Sequence, residues 1–128
     1  QASLITEAQT LLATVTIIEE VNVISAVVPD QDIKGLREIG DWLKGKLSSV
    51  LLVLAIIKEG NPVVLCMVTP DLVKRGFHAG RIVQELSKLL GGSGGGGPEM
   101  AQAGGKRGDK LGEALGTVSD IVTREVAR

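Results

Sequence analysis

The chain has 128 residues, 44% of them hydrophobic and 23% charged, with a formal net charge of −1. That length fits one compact domain able to bury a core without disulfides or metal, and no apolar run approaches the roughly 18 residues of a membrane span. The lone Cys66 can close no internal bridge, and no basic-then-apolar leader opens the chain, so the expected compartment is the cytoplasm.

The first residue is Gln1 rather than Met, so the chain reads as a piece of something longer. Leu4, Ala8, Leu11 and Leu12 recur at helical spacing over 3–13. Residues 1–19 are accordingly read as the end of a connecting helix and its lead-in, loosely docked, and 20–128 as the domain proper. Thr14 to Ile18 also has strand-like composition, and its pairing is left open. Val21 to Val28, β-branched and closed by Pro29-Asp30, predicts a buried strand.

Ile33, Leu36, Ile39 or Gly40, Leu43 and Leu47 follow at three- and four-residue steps, with Asp30 or Asp32 as N-cap, which predicts an amphipathic helix over 32–47 with Trp42 in the core. Val50 to Ile57 and Val63 to Val68 are apolar runs joined by Lys58-Glu59-Gly60-Asn61, the chemistry of a hairpin. Cys66 lies inside the second run and is read as a small core residue. A polar turn with Gly76 should lead into a helix ending at Leu90, its inner face made by Ile82, Val83, Leu86, Leu89 and Leu90. After a glycine-rich stretch, a last helix over 106–126 places Leu111, Leu115, Val118, Val122 and Val126 on one stripe. The fold class is α/β: a small mixed sheet with a strand–helix–hairpin core, flanked by helices, with a glycine-rich loop between the last two helices.

The stretch GGSGGGGPEMAQAGG, Gly91 to Gly105, is the most informative in the chain. Read blandly it is a flexible spacer, but it follows an amphipathic helix without polar decay and continues into Pro98-Glu99-Met100-Ala101-Gln102-Ala103. Gly94 to Gly96 are expected to adopt positive φ or to let a ligand approach the backbone, the other purpose of so much glycine. No Gly-Lys-Ser/Thr ending follows, and a helix rather than a strand precedes, so neither the Walker loop nor the dinucleotide fingerprint is met.

The run Gly80 to Leu90 followed by this stretch resembles the signature of the DHH-associated domain at the C-terminus of bacterial-type alanyl-tRNA synthetases, in which a helix runs into GGKGGGRPDMAQGGG. The upstream order of elements fits from about Val21 onward. The resemblance implies a mixed α/β domain that holds the elbow of tRNA and supports aminoacylation and editing by other domains of the parent synthetase. It also leaves two alternatives: a module that dimerises the parent, and the nucleic-acid-binding domain of a DHH-type phosphoesterase. Ser93 and Gly97 stand where the family commonly has Lys and Arg, so two expected charges are missing.

Charge distribution says where cations remain. Residues 70–111 carry seven Lys/Arg against four Asp/Glu, whereas residues 1–69 carry five against eight. The candidate RNA-binding residues are the basic-segment side chains Lys74, Arg75, His78, Arg81, Lys106, Arg107 and Lys110, with Lys88 nearby, and, as the resemblance implies, Gly92, Gly94, Gly95, Gly96 and Gln102 of the glycine-rich stretch. Lys106 and Arg107 are expected to open the last helix, where cations oppose the positive pole and so await an anion. One histidine, one cysteine and two aromatics leave no catalytic constellation, no metal-ligand set, no expected cofactor and no aromatic platform for bases. The partners expected are tRNA, the parent's other domains and a possible second copy, with no membrane.

Overall fold

The computed structural model describes residues 2–128; Gln1, read from sequence as part of the lead-in, lies outside them. The elements are α1 (Ala2–Leu12), β1 (Thr16–Ile18), β2 (Val21–Val27), α2 (Ile33–Lys46), β3 (Val50–Lys58), β4 (Asn61–Val68), α3 (Pro70–Lys74), α4 (Ala79–Leu90), β5 (Ser93–Gly96) and β6 (Met100–Gly104), followed by a 3₁₀ turn (Gly108–Lys110), α5 (Leu111–Gly116) and α6 (Val118–Ala127).

Six strands form one sheet in the order β1-β2-β3-β4-β6-β5, with β2 and β3 parallel and every other neighbouring pair antiparallel. The parallel pair needs a crossover, and α2 supplies it. Its start is set by Asp32, whose carboxylate accepts from the Gly35 N–H at 2.8 Å. The β3–β4 turn uses Glu59 and Gly60, at φ 53° and 83°, the primed two-residue geometry that glycine favours. The β1–β2 turn has the same form at Glu19 and Glu20, at φ 50° and 70°, where neither residue is a glycine.

Both sheet faces are covered, which is why β3 and β4 read as unbroken apolar runs. Leu51, Val53 and Ala55 of β3, with Val64, Cys66 and Val68 of β4, pack under α4, α5 and α6. Leu52, Leu54, Ile56, Leu65 and Met67 pack under α1 and α2. Ala8 and Leu11 of α1 are buried in that second core. Cys66 sits fully inside the first, and burial pushes its thiol pKa far up, which makes it inert as a nucleophile. Trp42 is only half-buried, lying beside Ile39 and Leu4, with the Lys46 ammonium 5.2 Å from its ring centroid.

Three details depart from the sequence reading. A short helix, α3, forms over Pro70–Lys74 where the sequence reads as a polar turn, while the pairing left open for 14–18 is settled by β1 (Thr16–Ile18), which joins β2 antiparallel. The single last helix is broken: Thr117 turns its N–H and its hydroxyl onto the Ala114 carbonyl, at 3.1 and 2.7 Å, just after the poor helix former Gly116. The stripe survives the break, because Leu111 and Ala114 of α5 and Val118, Ile121 and Val122 of α6 all enter the same core. The third departure is the glycine stretch, which is not a loop.

Candidate nucleic-acid interface around the glycine hairpin

Ser93–Gly96 and Met100–Gly104 are strands, turned at Gly97-Pro98-Glu99, and β6 continues the sheet by pairing with β4, Leu65 opposite Gln102 and Cys66 opposite Ala101. Period two then sorts the side chains. Ala101 and Ala103 are buried beneath α4, whereas Met100 and Gln102 lie on the α2 side of the sheet and are exposed.

The hairpin is sewn to both ends of α4. At the N-terminus the Ala79 and Gly80 N–H groups donate to the Pro98 and Gly97 carbonyls, at 2.8 and 3.1 Å, and the Arg81 N–H donates to Nδ1 of His78 at 3.2 Å. Those donors are spent internally, so the helix start is closed to an anion. A Cβ on Gly80 would come 2.6 Å from the Gly96 carbonyl oxygen, and one on Gly94 would overlap Ala103. The glycines are therefore needed for close approach of strand to strand and strand to helix. Of Gly94 to Gly96 only Gly96 takes positive φ, at 156°; Gly91 does so at 70° and ends α4.

At the far end the Lys106 and Arg107 N–H groups both donate to the Leu90 carbonyl, at 2.9 and 2.8 Å. These two cations thus sit at the negative, C-terminal pole of α4, not at the opening of the last helix. The macrodipole stabilises them there, and the inference that they await an anion loses its basis.

The candidate side chains fall into two groups separated by a 12-residue helix of about 18 Å. Lys74, Arg75, His78 and Arg81 lie at its N-terminal end; Lys106, Arg107 and Lys110 lie at the other. Several are already engaged. The Arg81 guanidinium donates to the Gly76 carbonyl at 2.7 Å, Arg107 makes two 3.3 Å bonds to Asp109, and Lys110 stands 3.6 Å from Glu113. The hydrogen bond from Arg107 holds the Asp109 carboxyl below the usual range. Lys74, Arg75 and Lys106 are exposed and, among the described residues, make no ion pair.

Sequence reasoning missed a cleft of about 110 Å³ between α4 and α6, lined by His78, Arg81, Glu85, Arg124 and Arg128. Arg124 grips Glu85 in a bidentate pair, 3.0 and 2.8 Å, from 39 positions away, a separation that no local pattern discloses. Sequence reasoning also missed Lys34, Arg37 and Lys58, which the topology brings to the open side of the hairpin: Arg37 borders a depression with Gly95, Gly96, Met100 and Gln102, and Lys34 and Lys58 border the next one along, with Gln102 common to both.

Among the described residues no group of three or more His, Cys, Asp or Glu is placed to hold a metal, and no helix is long and apolar enough to cross a membrane. A mixed sheet extended by a glycine hairpin that is stitched to an amphipathic helix defines a two-core α/β module. The chain belongs to the DHHA1 domain family, whose model matches residues 20–124. It is 42% identical over 115 residues to the alanine–tRNA ligase of Roseiflexus sp. (strain RS-1), covering 90% of this chain and 13% of that protein. Identity to the alanine–tRNA ligase of Bacillus subtilis is 43% over 116 residues, covering 91% and 13%. The chain thus spans about an eighth of the length of these curated relatives. In fold it is similar to the C-Ala domain of Aquifex aeolicus alanyl-tRNA synthetase, with a TM-score of 0.77 and 24% identity over 85% of this chain and 97% of that one.

Proposed function

We propose that this chain is the tRNA-binding accessory domain of an alanine–tRNA ligase, gripping the elbow of tRNA while other domains of the parent carry out aminoacylation and editing. The observation that carries the reading is the hairpin itself. One face is closed by α4 and the other lies open, while the stretch that forms it carries the motif resembling that of the synthetase family. Exposed glycine backbone, the Gln102 amide and surrounding cations suit a ligand met by shape and phosphate rather than by aromatic stacking.

In this reading Lys74, Arg75, Arg81, Lys106, Arg107 and Lys110 attract phosphates from the two ends of α4, His78 offers a hydrogen-bonding or stacking ring beside the first group, and Gly92, Gly94, Gly95, Gly96 and Gln102 form the surface between them. Because the elbow is common to all tRNAs, the purified chain should bind different tRNAs alike. A few phosphate contacts give a slope of log K against log salt of about −2 to −4. Fluorescence anisotropy with labelled tRNA over a salt series measures both. Affinity independent of salt, or a strong preference for one tRNA, would overturn the proposal.

A further inference from the structure

The cations near the hairpin differ in how far they are committed. On the α4 side, Arg81, Arg107, Lys110, Arg124 and Arg128 are each bonded to a carbonyl or carboxylate, while Lys74, Arg75 and Lys106, spread over the two ends of α4, make no ion pair among the described residues. On the α2 side, Lys34, Arg37 and Lys58 are exposed and, among the described residues, make neither a side-chain hydrogen bond nor an ion pair. Among the described residues the one carboxylate bordering the same groove, Asp32, already accepts the α2 capping bond.

Resting on the RNA-binding reading above, we propose that RNA lies in the groove between α2 and the open face of the glycine hairpin. The chemistry selects an RNA segment with unstacked nucleotides. The groove consists of two depressions meeting at Gln102, the larger about 360 Å³, within the roughly 300–1,000 Å³ of small-ligand sites. Arg37 stands at one depression, and Lys34 and Lys58 at the other, so cations follow the groove along its length, as a phosphate backbone requires. Between them Gln102 offers an amide donor and acceptor that, among the described residues, no other side chain occupies, suited to a base edge. Met100, 37% exposed on the same face, supplies an aliphatic surface for a base where no aromatic is available. The backbone of Gly95 and Gly96 borders the same depression and lets a planar ring approach closely. A duplex cannot present its bases to such a floor, whereas splayed loop nucleotides can.

The test compares three charge-removing double variants of the full chain, Arg37→Ala/Lys58→Ala, Lys106→Ala/Arg107→Ala and Lys44→Ala/Lys46→Ala, by anisotropy with labelled tRNA, with melting curves to verify folding. The first should lose roughly tenfold in affinity at low salt and flatten the salt slope by about 2, while the third, on the same helix but away from the groove, stays within about twofold of the parent. Gln102→Ala should weaken binding with the slope unchanged, and a plain RNA duplex should bind less well than tRNA. If Arg37→Ala/Lys58→Ala binds like the control while Lys106→Ala/Arg107→Ala loses affinity, RNA lies on the α4 side: the groove is refuted and the RNA-binding reading stands. Equal affinity for duplex and tRNA refutes the unstacked-nucleotide occupant. Failure of the unmutated chain to bind either RNA refutes both proposals.

Discussion

Gly94 and Gly95 are neighbours in one strand, yet their tolerances differ. An added Cβ at Gly94 overlaps Ala103, which is itself trapped beneath α4, so neither strand can yield. At Gly95 the nearest atom to an added Cβ is Nε2 of Gln84, 3.6 Å away, an ordinary contact with a movable side chain. Gly94→Ala should therefore cost about 1–3 kcal/mol as an overpacking change, and Gly95→Ala should stay within about 0.5 kcal/mol. Urea denaturation of the two variants compares them directly; equal stabilities would mean the hairpin is not packed as described. A second strain sits at Glu19 and Glu20, both held at positive φ in the β1–β2 turn. Replacing them by Asn-Gly, which that turn prefers, should stabilise the chain by about 1 kcal/mol or more, raising Tm by roughly 2–6 °C. An unchanged or lowered Tm would count against strain at this turn.

Among elements, α4 decides the most. Its inner face is the apolar stripe visible in the sequence, but its two ends hold the hairpin and so place Gly96 and Gly97 at one end and Lys106 and Arg107 at the other. His78 has a structural task here, accepting the Arg81 N–H as N-cap. α2 is the second determinant, because it carries Arg37 to the hairpin's open side. Its own start depends on Asp32, and a surface cap of this kind contributes about 1 kcal/mol. The exposed pairs are a weaker source of stability: Arg124–Glu85 is bidentate but solvent-accessible, and such pairs contribute about 0–1 kcal/mol.

For the whole molecule, three carboxyls have depressed pKa values in the fold: Asp71 through the hydrogen bond from Ser49, Glu85 through that from Arg124 and Asp109 through that from Arg107. A depressed carboxyl binds its proton less readily folded than unfolded. Its contribution is present above the unfolded-state range near pH ~4 and lost as pH falls through the lower folded values. Stability should therefore be level from neutral pH to about 5 and fall below about 4, modestly because all three groups are accessible. Urea midpoints at a series of pH values check this, and a midpoint that rises from pH 5 to pH 3 would reverse the sign argued here.

Apolar runs and period, with turn and cap chemistry, were enough to place β2, α2, β3, β4 and α4 and the inward faces of the two helices, because each element buries apolar side chains in one or both of the same two cores. The resemblance carried by Pro98-Glu99-Met100-Ala101-Gln102 sufficed for the family. What period and composition hid was the hairpin. Glycine has little intrinsic preference for a strand, so the Ala101-Gln102-Ala103 alternation beyond a Gly-Pro-Glu turn was its one local signal. The break at Thr117 was hidden for the opposite reason, since the apolar stripe runs straight through it. Segment charge placed the cations in 70–111, while Lys34, Arg37 and Lys58 belong to the net-acidic part of the chain. Only pairing of β6 with β4 sets Gln102 beside residues from α2 and β3, and only the way α4 binds both ends of the hairpin decides which of its faces is open. Contacts between segments tens of residues apart depend on which faces the sheet leaves uncovered, and that is settled by tertiary packing.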